Sequence, residues 1–488
     1  MPLRKFSIIR NHLYWLLPCF LYLKGVSLAP HTGGEDLLPR PDALEYALLA
    51  DRLASFEPPL IPIGLRQYPS RYPLAYPLLL VPFSVIFPGD TTKFYLGATL
   101  FGLAATFLLA YSGAWMLGSR AAGGMAAAFW ALHPQTLSLA KLNMSEMGVV
   151  MMFAGMICAA RPWLEKGMEA KASARRAAMV GIITGWLVVA KFPFVWWAFA
   201  LSLVVAWSCI KSRNPWPAVA MVAAIVLMLA GDALYRRWAF GAWGMNGYEY
   251  WAPEVYGGFG VTFSSKYLVE PWTSGWSDGN LIYYWQIIIG ATEDYYSEFM
   301  AWVALGSAAC LFWPRWKGRP GRLIVWLMFG WGIVGLLFCS LYFFQSERFV
   351  ILWIPIIDLL VAWGLMKVWS WDWLRRGWRG RFQVHLVVRF ATALVALALA
   401  RGEYLWAEET YRFSPDQGQR ARAYDFRELL EKVPEGEWVF SNYEMPLVEE
   451  YRSHKGPVGA IYVHYPVDFY CNAYIPALYY HNFPSSRA

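Results

Sequence analysis

The sequence predicts a polytopic all-α membrane protein of about eleven transmembrane helices that ends in a small α/β domain. Three observations carry this expectation. The chain is 58% hydrophobic and 16% charged, whereas a soluble domain carries roughly 25% charged residues. Apolar runs near the length needed to cross a bilayer, about 20 residues, recur at 13–29, 94–117, 122–137, 145–160, 177–190, 192–210, 216–235, 298–313, 323–342, 349–366 and 386–402. After Arg401 the composition changes abruptly to mixed polar sequence.

Taken in order, the first apolar run has a basic flank and a short core, as a signal peptide would. Lys24 near its end and the lack of a small-residue cleavage site read as a retained anchor. The loop 30–93 follows, holding three acids (Asp42, Glu45, Asp51) on a helix-like segment and then the run YPSRYPLAYPLLLVP. That run is expected to lie along the bilayer surface with its aromatic rings at headgroup depth. A second loop, 236–297, is crowded with rings such as Trp243, Tyr248, Trp251, Trp272 and Trp285. They suit an interfacial belt as well as a platform for stacking sugars, and its acids read as solvated. In the tail, residues 420–433 have helical spacing, EWVFSN and GAIYVHYP read as strands and MPLVEEYRS as a helix. The division is therefore a membrane core, 1–402, and an α/β unit, 403–488.

The formal charge of +8 does not point to nucleic acid, because position explains it. With the N-terminus in the cytoplasm, its three basic residues and the clusters at Arg120, 161–176, Lys211 and Arg213, 315–322 and 367–389 all fall inside; together they hold 21 of the 42 Lys and Arg. This is the positive-inside pattern. It places loops 30–93 and 236–297, the Lys141–Ser145 turn, Lys191, the Gln345–Arg348 corner and the C-terminal tail on the outer face. Five of the six cysteines fall within predicted spans and Cys471 stands alone, so no disulfide or metal framework is implied.

Chemistry is expected where polar residues gather on that face. Asp42, on a helix at the membrane surface, suits a general base or a ligand to a divalent cation, and Glu45 one turn on shares its face. The same acids also simply complement a helix dipole. LNMSEM, Leu142–Met147, puts Asn143, Ser145 and Glu146 at the outer end of the fourth span, where an acid needs a partner. Its Asn-Met-Ser sequon is read as chance. In FFQSERFVILWIP, Arg348 opens a late span, and a guanidinium there suits a phosphate oxygen or pairs with Glu347. Lys191 and Arg71 are further cations on the same side.

The acid-Tyr helix (Asp42, Glu45, Tyr46), the following YPSRYPLAYPLLL, the acid atop the fourth span (Ser145-Glu146) and the outer ERFVILWIP together resemble the GT-C superfamily of membrane glycosyltransferases. The nearest branch is that of the protein O-mannosyltransferases and lipid A aminoarabinose transferases. The chain departs from it in separating Asp42 from Glu45 by two residues, and in carrying Leu74-Ala75 where many members have Pro-Pro or Pro-Gly. The resemblance implies transfer of a sugar from a polyprenyl-phosphate donor to a hydroxyl of a lipid, glycan or protein acceptor, at the outer face of the cytoplasmic membrane. It assigns Asp42 and Glu45 to catalysis, Arg348, Lys191 and Arg71 to the donor phosphate, and Tyr46, Tyr72, Glu146 and Glu347 to substrate binding. A divalent metal ion at the acids stays open, and no other cofactor is implied. Two rivals remain: a secondary transporter using Asp232 and Asp358 as intramembrane relays, and a polysaccharide assembly or export component.

Overall fold

The computed structural model describes residues 2–28, 41–63, 66–88, 93–166, 173–190, 195–251, 263–270, 279–289, 303–308, 320–342, 347–369, 389, 391–401, 439–441 and 458–460. The chain is a multi-pass helical membrane protein. Among the described residues, Tyr95–Met116, Ser145–Glu165 and Trp216–Phe240 are long and apolar enough to cross a bilayer.

The centre of the molecule is built by α1 (Pro2–Leu28), α4 (Lys93–Met116), α5 (Arg120–Leu132) and α7 (Ser145–Lys166). Lipid is as apolar as leucine, so close contact between helices, rather than escape from water, holds such a bundle together. Small residues make that contact. A side chain added at Gly123 of α5 would lie 2.2 Å from the Ala114 nitrogen and 2.6 Å from the Ala110 oxygen of α4, so the two backbones touch there. The same device joins α8 (Ala174–Ala190) to α10 (Trp216–Phe240), where Gly181 faces the Met221 carbonyl at 2.3 Å. Beyond α9 (Val195–Lys211), α10 turns most of its apolar surface outward; Leu227, for example, is 72% exposed, as a lipid-facing helix should be.

The run predicted as one span at 122–137 is two helices, α5 and the short α6 (Pro134–Ala140). Pro134 is the reason: it lacks the N–H and drives the preceding residue out of the helical region. His133 is accordingly extended and caps α6, its Nδ1 accepting from the Gln135 amide at 3.2 Å. The run predicted at 349–366 likewise enters through a 3-10 turn, Glu347–Leu352, before α14 (Ile354–Trp369) begins.

The segment between α1 and α4 holds α2 (Pro41–Ala54), an antiparallel pair β1 (Leu60–Ile63) and β2 (Arg66–Pro69), and α3 (Ala75–Ile86). Its described rings do not lie at a lipid surface as expected. Tyr72 and Tyr76 are buried, and Leu78, Val85 and Ile86 of α3 are exposed instead. Tyrosine carries a hydroxyl that finds partners inside the protein, whereas the aliphatic side chains lose nothing in lipid.

In the second outer loop α11 (Gly247–Trp251) sits near the first loop, and α12 (Asn280–Ile289) packs on α13 (Pro320–Leu341) and the 3-10 turn. A further helix, α15, spans Ala391–Arg401. The predicted tail strands appear as β3 (Val439–Ser441) and β4 (Val458–Ala460), paired in parallel with Val439 opposite Val458. The helices predicted at 420–433 and in MPLVEEYRS lie outside the described residues.

Candidate active site

The site is assembled from α2, the turn Ser70–Leu74, α3, the start of α7 and the 3-10 turn at Glu347. Proline opens α2 at position 41, where a missing N–H costs nothing, so Asp42 sits in its first turn. The side chain of Asp42 lies outside what the structure describes. One turn later Glu45 points into the protein and is 2% exposed. Its Oε1 receives Arg71 Nε at 2.8 Å and lies 2.7 Å from Nη2, while its Oε2 accepts from Ser70 Oγ at 2.7 Å and from the Arg71 amide at 3.1 Å. Ser70 Oγ in turn accepts from the Tyr72 amide at 3.0 Å. The described contacts of Glu45 thus run to Ser70 and Arg71, 25 and 26 residues on.

Tyr46 and Tyr72 are also buried, with ring centroids 5.2 Å apart. Tyr46 meets Tyr76 of α3 edge-on at 4.9 Å. Tyr76 was not singled out from the sequence, yet it is the bridge to the next element. Its hydroxyl donates to Asn143 Oδ1 at 3.3 Å and its ring lies against Gly148 of α7. Burial first, and the nearby Glu146 second, push the Tyr76 phenol well above the usual tyrosine range, so it stays a donor.

Glu146, fully buried in the first turn of α7, lies 3.7 Å from Arg348 Nη1, which also contacts Met144 Sδ at 3.8 Å. An acid in a helix's first turn complements its dipole, and this one also neutralises the guanidinium facing it. Glu347 opens the same 3-10 turn, with its side chain outside what is described; Lys191 lies outside the described residues altogether. Among the described residues no cluster of three or more His, Cys, Asp or Glu could hold a metal ion.

Besides the packing of α12 on the 3-10 turn, the 236–297 loop meets the Ser70–Tyr72 turn through α11. A Cβ on Gly247 would lie 2.3 Å from the Ser70 oxygen and 2.5 Å from Arg71 Cα, and the neighbouring Tyr248 meets Tyr72 edge-on at 5.8 Å. A reciprocal cap, in which Asn246 and Glu249 bond each other's amides at 3.1 and 3.0 Å, fixes the start of α11.

No protein-family model matches the sequence, and no curated protein does. Among solved structures the architecture aligns with ArnT from Cupriavidus metallidurans bound to undecaprenyl phosphate, over 96% of this chain and 88% of that one, with a TM-score of 0.56 at 14% identity. Its apo state gives 0.57 at 15% identity. The archaeal oligosaccharyltransferase AglB from Archaeoglobus fulgidus, in complex with an inhibitory peptide and a dolichol-phosphate, aligns at 0.55 and 14% identity over 92% of this chain, which spans 65% of that longer protein. The chain has the GT-C fold. At such identities the likeness is one of architecture.

Of the rival relay residues, Asp232 on α10 is paired with Arg236 one turn on at 2.6 Å, and Asp358 is buried in α14. Ser70, Tyr76 and Gly247 were not legible as candidates because their contacts span 25 to roughly 180 residues of chain.

Proposed function

We propose that this chain is a glycosyltransferase that moves a sugar from a polyprenyl-phosphate carrier to an acceptor hydroxyl, working at the outer face of the cytoplasmic membrane. The observation that carries the proposal is a continuous run of contacts from the acidic helix to the late arginine. Tyr46 on α2 packs on Tyr76, Tyr76 bonds Asn143, and Glu146 three residues on faces Arg348. This run of contacts supports reading the acidic helix and Arg348 as parts of one site. The neighbours' bound undecaprenyl phosphate and dolichol-phosphate supply the class of carrier.

In this reading Asp42 takes the proton of the acceptor O–H as that oxygen forms its bond to the anomeric carbon. The bond from that carbon to the phosphate oxygen breaks, and its electron pair leaves with the polyprenyl phosphate. Arg348, assisted by Lys191, stabilises the developing charge, a contribution on the order of a few kcal/mol per well-placed donor. Glu347 belongs to the same corner. Eleven spans, a cytoplasmic N-terminus and an outer α/β tail domain complete the proposal, which leaves sugar and acceptor open and routes no step through a metal ion.

The test is transfer from lipid-linked sugar extracted from the native membrane, together with binding of undecaprenyl phosphate. Asp42→Asn should abolish transfer and leave undecaprenyl phosphate binding intact; Arg348→Ala should weaken that binding at least tenfold. Wild-type turnover in Asp42→Asn, or unchanged binding in Arg348→Ala, would remove that residue from the mechanism.

A further inference from the structure

Building on the transferase reading, we propose that Glu45 and Arg71 are a positioning pair, which fixes where α2 presents Asp42. A general base needs a lone pair facing the acceptor hydroxyl, and a phosphate ligand needs a free edge of its guanidinium. Glu45 instead spends both oxygens inside the protein, on the Arg71 side chain, the Arg71 amide and the Ser70 hydroxyl, at 2.7–3.1 Å. Both side chains are nearly sealed from solvent, at 3% and 4% exposure.

The geometry of what is held explains why a pair is placed there. Asp42 precedes Glu45 by three residues, about 4.5 Å of helix rise, so any rocking of α2 about Glu45 displaces Asp42 directly. The partner segment is itself immobilised: Ser70 is tied to the Tyr72 amide, the Arg71 guanidinium lies 5.4 Å from the Tyr72 ring centroid, and Gly247 bears on the Ser70–Arg71 backbone from the second outer loop. The acidic helix and the Ser70–Arg71 turn therefore meet at one carboxylate, and the second loop braces that turn. A displacement of about 1 Å at a reacting group is enough to lower a rate by roughly 100-fold, which is the scale on which this pair acts.

The experiment compares wild type with Glu45→Gln, Glu45→Asp and Arg71→Lys. Three quantities are read: turnover on extracted lipid-linked sugar across about pH 5–9, affinity for undecaprenyl phosphate, and amide hydrogen exchange along α2. Positioning predicts that Glu45→Gln lowers kcat by roughly 10- to 100-fold with the acid limb of the pH profile unmoved. It also predicts undecaprenyl phosphate affinity within about twofold of wild type in Arg71→Lys, faster α2 exchange in both, and partial recovery of kcat in Glu45→Asp. Disappearance of the acid limb in Glu45→Gln would make Glu45 the base and overturn the proposal. So would a tenfold loss of undecaprenyl phosphate affinity in Arg71→Lys, or wild-type kcat in Glu45→Gln. If Glu45→Gln does not survive purification, Glu45→Asp against Arg71→Lys carries the same comparison. Should wild type itself show no transfer, the transferase reading fails, while unchanged α2 exchange in the variants would separately refute the clamp.

Discussion

Gly247→Ala is the sharpest single perturbation, because the space it violates is bounded by backbone. The added Cβ would sit 2.3 Å from the Ser70 oxygen and 2.5 Å from both Arg71 Cα and its carbonyl oxygen. Ordinary contact begins at 3.4 Å, so something must retreat by about 1 Å. Gly247 does not occupy the left-handed region, and what requires glycine there is room alone. The cap between Asn246 and Glu249 and the Tyr248–Tyr72 contact hold α11 in place, so the strain falls on the Ser70–Arg71 turn. A shift of about 1 Å there stretches hydrogen bonds of 2.7–3.1 Å to Glu45 beyond the range in which they remain bonds.

Overpacking of this kind costs about 1–3 kcal/mol, and displacement of a reacting group by ~1 Å costs roughly 100-fold in rate. Purified Gly247→Ala should therefore unfold at lower temperature than wild type and lose transfer well beyond what its lost stability explains. Gly244→Ala is the control, since an added Cβ there meets nothing within 4 Å, and it should match wild type in both measurements. The reasoning is refuted if Gly247→Ala retains wild-type turnover and melting, or if Gly244→Ala is damaged as severely.

Other substitutions probe the neighbouring links. Arg71→Met strands Glu45 in a dry site, where breaking a buried pair costs about 3–5 kcal/mol; denaturant or thermal unfolding in detergent should show it, and a loss under 1 kcal/mol would mean water reaches the carboxylate. Tyr76→Phe removes the 3.3 Å bond to Asn143 and should cost about 0.5–1.5 kcal/mol. Because its phenol is raised by burial, the folded chain keeps a proton that the unfolded chain loses near pH 10. Tyr76 thus supports stability below that pH and loses its contribution above it, and Tyr76→Phe should flatten part of the alkaline decline in a pH series of melting curves. Asp232→Asn interrupts an i,i+4 pair on the side of α10, so stability should change by no more than about 0.5 kcal/mol and transfer should be unaffected. Loss of proton-coupled uptake in vesicles of that variant would instead favour a transporter.

The bundle was legible because apolar runs, small residues and basic loops are local signals. α7 begins at Ser145 and α10 at Trp216, where the sequence put the starts of spans. What local hydropathy could not register was Pro134, which divides an apolar run into two helices, or the 3-10 entry ahead of α14. The site was legible as a set of places: the acidic helix, LNMSEM and ERFVILWIP do lie along one connected path. The Glu45 contacts to Ser70 and Arg71 were not legible, because periodicity reports which residues share a helix face and carries no information about a turn 25 residues later. Tyr72 and Tyr76 read as interfacial rings for a related reason: Tyr/Pro-rich sequence is the same whether its hydroxyls meet headgroups or an asparagine.

Two acid–guanidinium pairs lie along this path among the described residues, and they differ in geometry. A buried pair holds together only when its geometry is good and its remaining hydrogen-bonding capacity is met. On the Glu45 side that condition is met: its oxygens take Arg71 Nε at 2.8 Å, the Ser70 hydroxyl and a backbone amide, with Nη2 at 2.7 Å and Arg71 at 4% exposure. Glu146–Arg348 approaches only to 3.7 Å, beyond an N–H···O bond, and leaves Arg348 17% exposed. At an effective dielectric near 20 the bare Coulomb terms differ by only about 1–2 kcal/mol, so attraction alone does not distinguish them. Hydrogen bonding does: the first arginine cannot leave its carboxylate without orphaning several buried groups, whereas the second stands off its buried carboxylate at a separation that no N–H···O bond spans. On the proposed transferase reading, the first pair would hold the acidic helix and the second would stand where the carrier phosphate is met.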